Sequence, residues 1–193
     1  MHPELSVNAH HFEAMGTTCS LFVVGQSRGR LLEGESWVRH VGARLTRFAL
    51  DSELSRLNAR AGEWIEVSEE MEAVLRAALE AYAMSSGLVN AAVLPSVLAV
   101  GYTRPLVEGP TVATLDRVGP TPALPEVLEV GGRGARVRTG SSLDLAESPK
   151  AGWPTAWWSC WGRMPWPTLA ATCARPGLAP VEMAGRSASA VQP

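Results

Sequence analysis

The chain has 193 residues, 46% of them apolar, and a formal net charge of -2, enough for one well-buried core or one domain with a tail. Basic residues are scattered except in Gly132-Arg133-Gly134-Ala135-Arg136-Val137-Arg138, which reads as a solvated turn, so nothing marks a nucleic-acid partner. Cys19, Cys160 and Cys173 form neither a CxxC pair nor a metal-ligand spacing, which indicates neither a zinc site nor a disulfide framework and fits a reducing compartment.

Met1 to Gln26 has no basic segment followed by a continuous apolar run, and no stretch approaches the ~18 residues of a membrane-spanning helix. As written, the chain reads as soluble and cytoplasmic, with no signal peptide and no membrane segment. Phe12 to Gly25 is rich in β-branched and aromatic residues and predicts a strand pair or one bent strand, with Gly16 at the bend. Leu31, Leu32, Trp37, Val38, Val41 and Leu45 then recur near helical spacing up to Phe48, weakened by Gly29, Gly34 and Gly42. Asp51 or Ser52 would cap a short helix carrying Leu54 and Leu57.

Trp64-Ile65-Glu66-Val67 alternates as a short strand. Ser68 caps the best helix of the chain, with Glu69 and Glu70 favourably placed on its dipole and Met71, Val74, Leu75, Ala78, Leu79 and Tyr82 on its core face. Ser85-Ser86-Gly87 ends it. Prolines from Pro95 to Pro125 mark a loop-rich crossing. Val127 to Val130 and Ala135 to Thr139 predict a strand pair joined through Gly131 to Gly134, and Leu143-Asp144-Leu145 reads as the end of another strand.

Single residues carry little chemistry. His2, His10 and His11 fit a flexible terminus better than a metal site. Ser142 and Asp144 lack a histidine at a useful spacing, and His40 falls on a helix, so no nucleophilic triad is supported and no catalytic residue is assigned.

Taken in order, four segments are more specific. Ala14-Met15-Gly16-Thr17, Leu45-Thr46-Arg47-Phe48 with Asp51-Ser52-Glu53-Leu54-Ser55-Arg56-Leu57-Asn58, Gly87-Leu88-Val89-Asn90, and Leu143-Asp144-Leu145-Ala146 resemble the ApbE-type FAD:protein FMN transferases. The family pattern is MGT, then LSRF or LSxY with DSELxxLN, then a GxFD-like loop, then DLGGIAKG. The resemblance runs from about Phe12 to Ala146 and implies an α+β, T-fold-related domain. It implies Mg-dependent transfer of FMN from FAD to a threonine or serine of a target protein, with FAD as substrate and Mg2+ as a family requirement. The family's magnesium ligands lie downstream and have no counterpart in this chain, so no metal ligand is assigned. By the same resemblance Met15, Gly16 and Thr17 would border the flavin nucleotide, and Phe48 would offer a ring face for stacking. Leu88, Val89 and Asn90 would line the pocket, Asn90 standing where many members carry aspartate, and Asp144 would sit beside it. Gly16 could present main-chain N–H groups to a diphosphate, although no GxGxxG is present. Intact members of the family can be exported or membrane-anchored.

After Ala146 the chain changes character. Five of its seven tryptophans fall between Trp153 and Trp166, among Pro, Ala, Gly and Arg. The genetic code offers a reason. CTG GCG GAA TCG CCA AAG GCT GGC TGG encodes LAESPKAGW, and one added G gives CTG GGC GGA ATC GCC AAA GGC TGG, or LGGIAKGW. The shifted reading continues as an amphipathic helix and permits a second glycine motif, NLGGD, near Arg175. In a GC-rich gene a shifted frame enriches Ala, Gly, Pro, Arg, Ser, Thr, Trp and Cys; these are 37 of the 47 residues from Glu147 to Pro193, against 21 of 47 from Gly62 to Glu108. The expected organisation is therefore residues 1-146 as the N-terminal part of a flavin-transferase domain, truncated and impaired, and 147-193 as a mostly irregular, out-of-frame tail. Two other readings are an FAD-binding protein without transferase activity and an interaction module built on the Trp-rich tail.

Overall fold

The computed structural model describes residues 6–25, 28–105, 108–109, 119–145 and 169–174. Strands β1 (Val7–Ala14) and β2 (Thr17–Val24) form an antiparallel hairpin in which Ala14 pairs with Thr17. That register leaves Met15 and Gly16 as the whole turn, both at positive φ (52° and 69°), the type I′ arrangement whose twist suits a hairpin. Gly16 adopts it freely, whereas Met15 carries a left-handed cost of about 1–2 kcal/mol. The hairpin starts at Val7 rather than Phe12, so His10 and His11 are strand residues and not part of a flexible terminus. His10 Nε2 meets Glu35 Oε2 at 2.5 Å and His11 Nδ1 meets Ser20 Oγ at 2.7 Å.

Helix α1 (Arg28–Leu45) covers one face of this hairpin. Its Leu31 and Val38 join Phe12, Cys19, Leu21 and Val23 in a small core. The apolar spacing had extended the helix to Phe48, but it stops at Leu45. Beyond it the Thr46 carbonyl accepts from Ser52 Oγ at 2.5 Å and Thr46 Oγ1 accepts from Phe48 N at 3.2 Å, so side-chain hydrogen bonds hold a turn there.

Helix α2 (Glu53–Ala59) is capped by Ser52, whose Oγ accepts from Ser55 N at 3.0 Å. Helix α3 (Glu69–Met84) is capped by Ser68, whose Oγ accepts from Met71 N at 3.1 Å. Between them sits the buried carboxylate of Glu53, which accepts from Ser68 N at 2.6 Å, Ser68 Oγ at 2.8 Å and Arg44 Nε at 3.2 Å, tying α1 to the starts of α2 and α3. The expected face of α3 points inward: Met71, Val74, Leu75 and Ala78 are buried, with Leu79 and Tyr82 packed at the margin. Ser86 and Gly87, both at positive φ, end the run.

A second sheet pairs β3 (Ile65–Glu66), β5 (Gly134–Val137) and β4 (Leu128–Gly131), all antiparallel, in the order β3-β5-β4. Gly132 and Arg133 make the β4–β5 turn, again with two positive φ angles. Short helices α4 (Leu94–Ala99) and α5 (Leu124–Val127) fill the crossing that the prolines punctuate. The segment 143–145 is not a strand. It is an irregular stretch in which Leu143 and Leu145 join the larger core with Leu54, Leu57 and Leu75, and Asp144 is buried between them.

The tail supplies one element that the sequence did not predict. Strand β6 (Leu169–Ala174) pairs antiparallel with β2, making the first sheet β1-β2-β6 and setting Cys19 opposite Cys173. A ladder is held by main-chain groups, so a stretch free of proline and charge can occupy an edge whatever its reading frame. Trp153 to Trp166 lie outside the described residues.

Candidate functional site

Arg47 joins two of the four sequence segments, its own and the one that carries Asp144. Its Nε donates to Asp144 Oδ2 at 2.8 Å and its Nη2 donates to the Tyr102 carbonyl at 2.7 Å. The guanidinium carbon lies 4.2 Å from the Phe48 ring centroid and 4.6 Å from that of Tyr102, and the two rings meet edge to face at 5.7 Å. Both charged side chains are almost fully enclosed, 5% exposed for Arg47 and 2% for Asp144. Burying two charges is tolerable only when each is paired and hydrogen-bonded. Here the guanidinium donates to a carboxylate and a carbonyl while its carbon lies over the Phe48 and Tyr102 rings.

Main-chain contacts fix this node in place. Asn58 Nδ2 donates to the Leu143 carbonyl and Asn58 Oδ1 accepts from Leu143 N, both at 2.8 Å. The next amide, Asp144 N, donates to the Ala91 carbonyl at 2.8 Å. One asparagine of α2 thus stands in for the ladder partner that residues 143–145 lack, and the carboxylate beside it reaches Arg47 without help from a strand.

Asn90 serves the neighbouring loop. Its Oδ1 accepts from Ala92 N at 2.9 Å, opening a 3-10 turn at Ala91–Val93, and its Nδ2 donates to the Pro122 carbonyl at 2.9 Å. An aspartate could accept but could not donate, so the asparagine adds a tie to the proline crossing. Val89 N donates to Ser85 Oγ at 2.9 Å, and Leu88 is 90% exposed. Beside Ala92 a cleft of about 200 Å³ opens, lined by Pro95, Ser96, Thr121, Pro122 and Ser141.

Phe48, Asn90 and Asp144 are therefore brought to adjoining parts of one core edge, Phe48 and Asp144 through Arg47 and Asp144 to residue 91 through its amide. Met15 is placed differently. Its side chain packs against the small core under the hairpin and over Gly42, where a Cβ would lie 2.9 Å from Met15 Cγ. The glycine that weakens α1 is the seat for this turn residue. Gly16 stands beside it in the turn, and Thr17 opens β2.

Sequence reasoning gave Phe48 a role and passed over Arg47, Tyr102 and Asn58. A buried aspartate demands a cation, and that demand is the signal that could have led to Arg47. Nothing in the sequence marks Tyr102, which acts through its ring and its carbonyl. Magnesium does not fit these residues: no group of three or more His, Cys, Asp or Glu able to hold a metal occurs among the described residues, and Asp144 is bound to a guanidinium. Nor is any described helix long and apolar enough to cross a membrane.

The fold has solved counterparts. The chain is similar to the ApbE protein from Thermotoga maritima (TM-score 0.58, 18% identity) over 73% of its own length and 48% of that chain. It is similar to the flavin transferase ApbE from Vibrio cholerae (TM-score 0.56, 22% identity) over 73% and 49%, and to the apo flavinyl transferase ApbE from Pseudomonas stutzeri (TM-score 0.57, 19% identity) over 73% and 50%. It thus spans about half the length of each. No curated protein sequence matches it. The profile of the ApbE family matches residues 15–146, from the turn methionine to the last residue of the Leu143-Asp144-Leu145-Ala146 segment. The chain belongs to the ApbE family.

Proposed function

We propose that the chain carries the N-terminal half of an FAD:protein FMN transferase, residues 1-146, followed by an out-of-frame tail at 147-193. In the complete enzyme an acceptor hydroxyl of a threonine or serine attacks the FMN-side phosphorus of FAD in line. A new phosphoester forms, the diphosphate bond breaks, AMP departs, and the hydroxyl proton passes to solvent or a base. Such chemistry asks a protein chiefly for positioning and charge stabilisation.

The observation that carries this reading is where the family match stops. It ends at residue 146, the point at which one added base would continue the sequence as GGIAKG, and the chain spans about half of its solved counterparts. The pocket wall proposed here is Met15, Gly16, Thr17, Phe48, Leu88, Val89, Asn90 and Asp144. Phe48 would offer flavin the ring face turned away from Arg47, and Arg47 with Asp144 would hold that ring in place. No step is assigned to magnesium, whose ligands the described residues do not provide.

The test is an FAD titration followed by flavin fluorescence, with this chain and a frame-restored version side by side. The restored protein is expected to bind and the present one to show no saturable binding. In the restored protein Asp144→Ala is expected to weaken binding or transfer. Micromolar binding by the present chain, without FMN transfer, would instead establish a flavin-retaining protein. Resequencing the locus is expected to find an open frame that runs on once a G is restored near the Ala146 codon; a single uninterrupted frame ending as given would overturn the tail assignment.

A further inference from the structure

Among the described residues β1 has one ladder neighbour, β2, at the edge of the order β1-β2-β6. Its residues pair in unbroken register from Val7↔Val24 to Ala14↔Thr17. Ala14 and Thr17 close the two-residue turn, and in the same register Gly25 N donates to the Ser6 carbonyl at 2.8 Å, so the even-numbered residues direct their main-chain groups to β2. Alternation then turns the N–H and C=O groups of Val7, Ala9, His11 and Glu13 outward. All four residues are exposed. The side chains of His11 and Glu13 lean back over the sheet, His11 Nδ1 meeting Ser20 Oγ at 2.7 Å and Glu13 Oε1 accepting from Thr18 Oγ1 at 2.6 Å. Sheet edges are commonly guarded by lysine, proline, a bulge or a very short strand. β1, with the sequence VNAHHFEA over 8 residues, carries none of these.

We propose that this edge binds a second copy of the chain, β1 against β1, antiparallel about a two-fold axis at His10. That axis sets Val7 opposite the partner's Glu13 and Ala9 opposite the partner's His11. Every outward residue of both strands is then paired, and each pair exchanges two hydrogen bonds. Moving the axis to Ala9 or to His11 carries Glu13 or Val7 past the end of the opposing strand, and any half-step sets outward groups against inward ones. In the register centred on His10 the one carboxylate of each strand faces a valine, and a net charge of -2 per chain adds little repulsion. A two-fold pairing also closes on itself, whereas an edge joined to a different edge of the next copy would propagate.

The experiment is sedimentation velocity of the full chain over a range of concentrations, with amide hydrogen exchange followed by NMR on the same samples. A monomer–dimer equilibrium is expected. Exchange at Val7, Ala9, His11 and Glu13 is expected to slow about tenfold once nine-tenths of the chain is paired, with far less change at Asn8, His10 and Phe12, which β2 already holds. Ala9→Pro removes one outward donor from each copy at an edge position that accepts proline, and is expected to weaken the dimer about tenfold. Proline can also loosen the strand, so Ala9→Lys, which guards the edge with charge, is the second break. Slow exchange at Phe12 shows in both variants that the β1–β2 ladder persists. A chain that stays monomeric at every concentration, outward amides whose exchange ignores concentration, open-ended polymers, or a dimer that survives both substitutions would overturn the proposal. None of these readouts involves flavin, so the outcome separates from the fate of the functional reading.

Discussion

The two cores of this chain are built on different terms. The larger, around α2, α3 and the β3-β5-β4 sheet, draws its buried side chains among the described residues from Leu54 to Leu145, with Leu45 packed at its margin, and includes the segment that carries Asp144. The smaller, under the hairpin and α1, draws on few buried side chains, and its sheet is completed by a strand from beyond the family match. Among the described residues the larger core therefore lies within the family match, whereas the smaller one pairs an edge of β2 with a strand beyond it. The proposed pocket straddles both, with Met15 on the small core and Phe48, Asn90 and Asp144 on the large one.

The sharpest way to break the large core is through its charge. Asp144→Ala leaves the Arg47 guanidinium buried without its carboxylate and is expected to cost about 3–5 kcal/mol, read by chemical denaturation. The double change Arg47→Met with Asp144→Leu is expected to recover most of that. Leu75→Ala, at a fully buried position of α3, is expected to cost about 2–5 kcal/mol through lost burial and a residual cavity.

Two further changes sharpen the contrast. Leu21→Ala in the hairpin, and removal of residues 147-193, are each expected to speed hydrogen exchange in β1 and β2 while sparing amides of α3. Parallel loss in α3 would mean that the two cores unfold as one. The smallest effect lies at Glu35, whose carboxyl is held below the ordinary carboxylate range by hydrogen bonds from His10 first and Arg39 second, against the opposing effect of burial. A depressed folded pKa stabilises above the unfolded value of about 4.3, and that stability is lost as pH falls through the folded one. Glu35→Gln is expected to remove about 0.2–1 kcal/mol near neutral pH and to flatten the acid limb of a stability profile.

The elements legible in advance were those with local signals. Ser52 and Ser68 announce their helices, the α3 face follows from its spacing, and a glycine, Gly16 or Gly132, marks each hairpin turn. What escaped the reading depends on partners far along the chain. Arg47 is defined by an aspartate 97 residues away, and Asn58 by a main-chain segment 85 residues away. Strand β6 escaped because its main-chain pairing needs little from its side chains. The family motifs located Phe48 and Asp144, but the side chain linking them had to be seen in space.

The clasp between Asn58 and Leu143 also sets a timetable for biosynthesis. Its two halves are 85 residues apart, so at roughly 5–20 residues per second Asn58 waits about 4–17 s for its partner to be made. Leu143 and Leu145, which seal the apolar interior beside α2, arrive at the end of that interval. Until then the apolar interior beside α2 stays open on the side that Leu143 and Leu145 close, and a chaperone that binds extended apolar segments would meet it before this strap does.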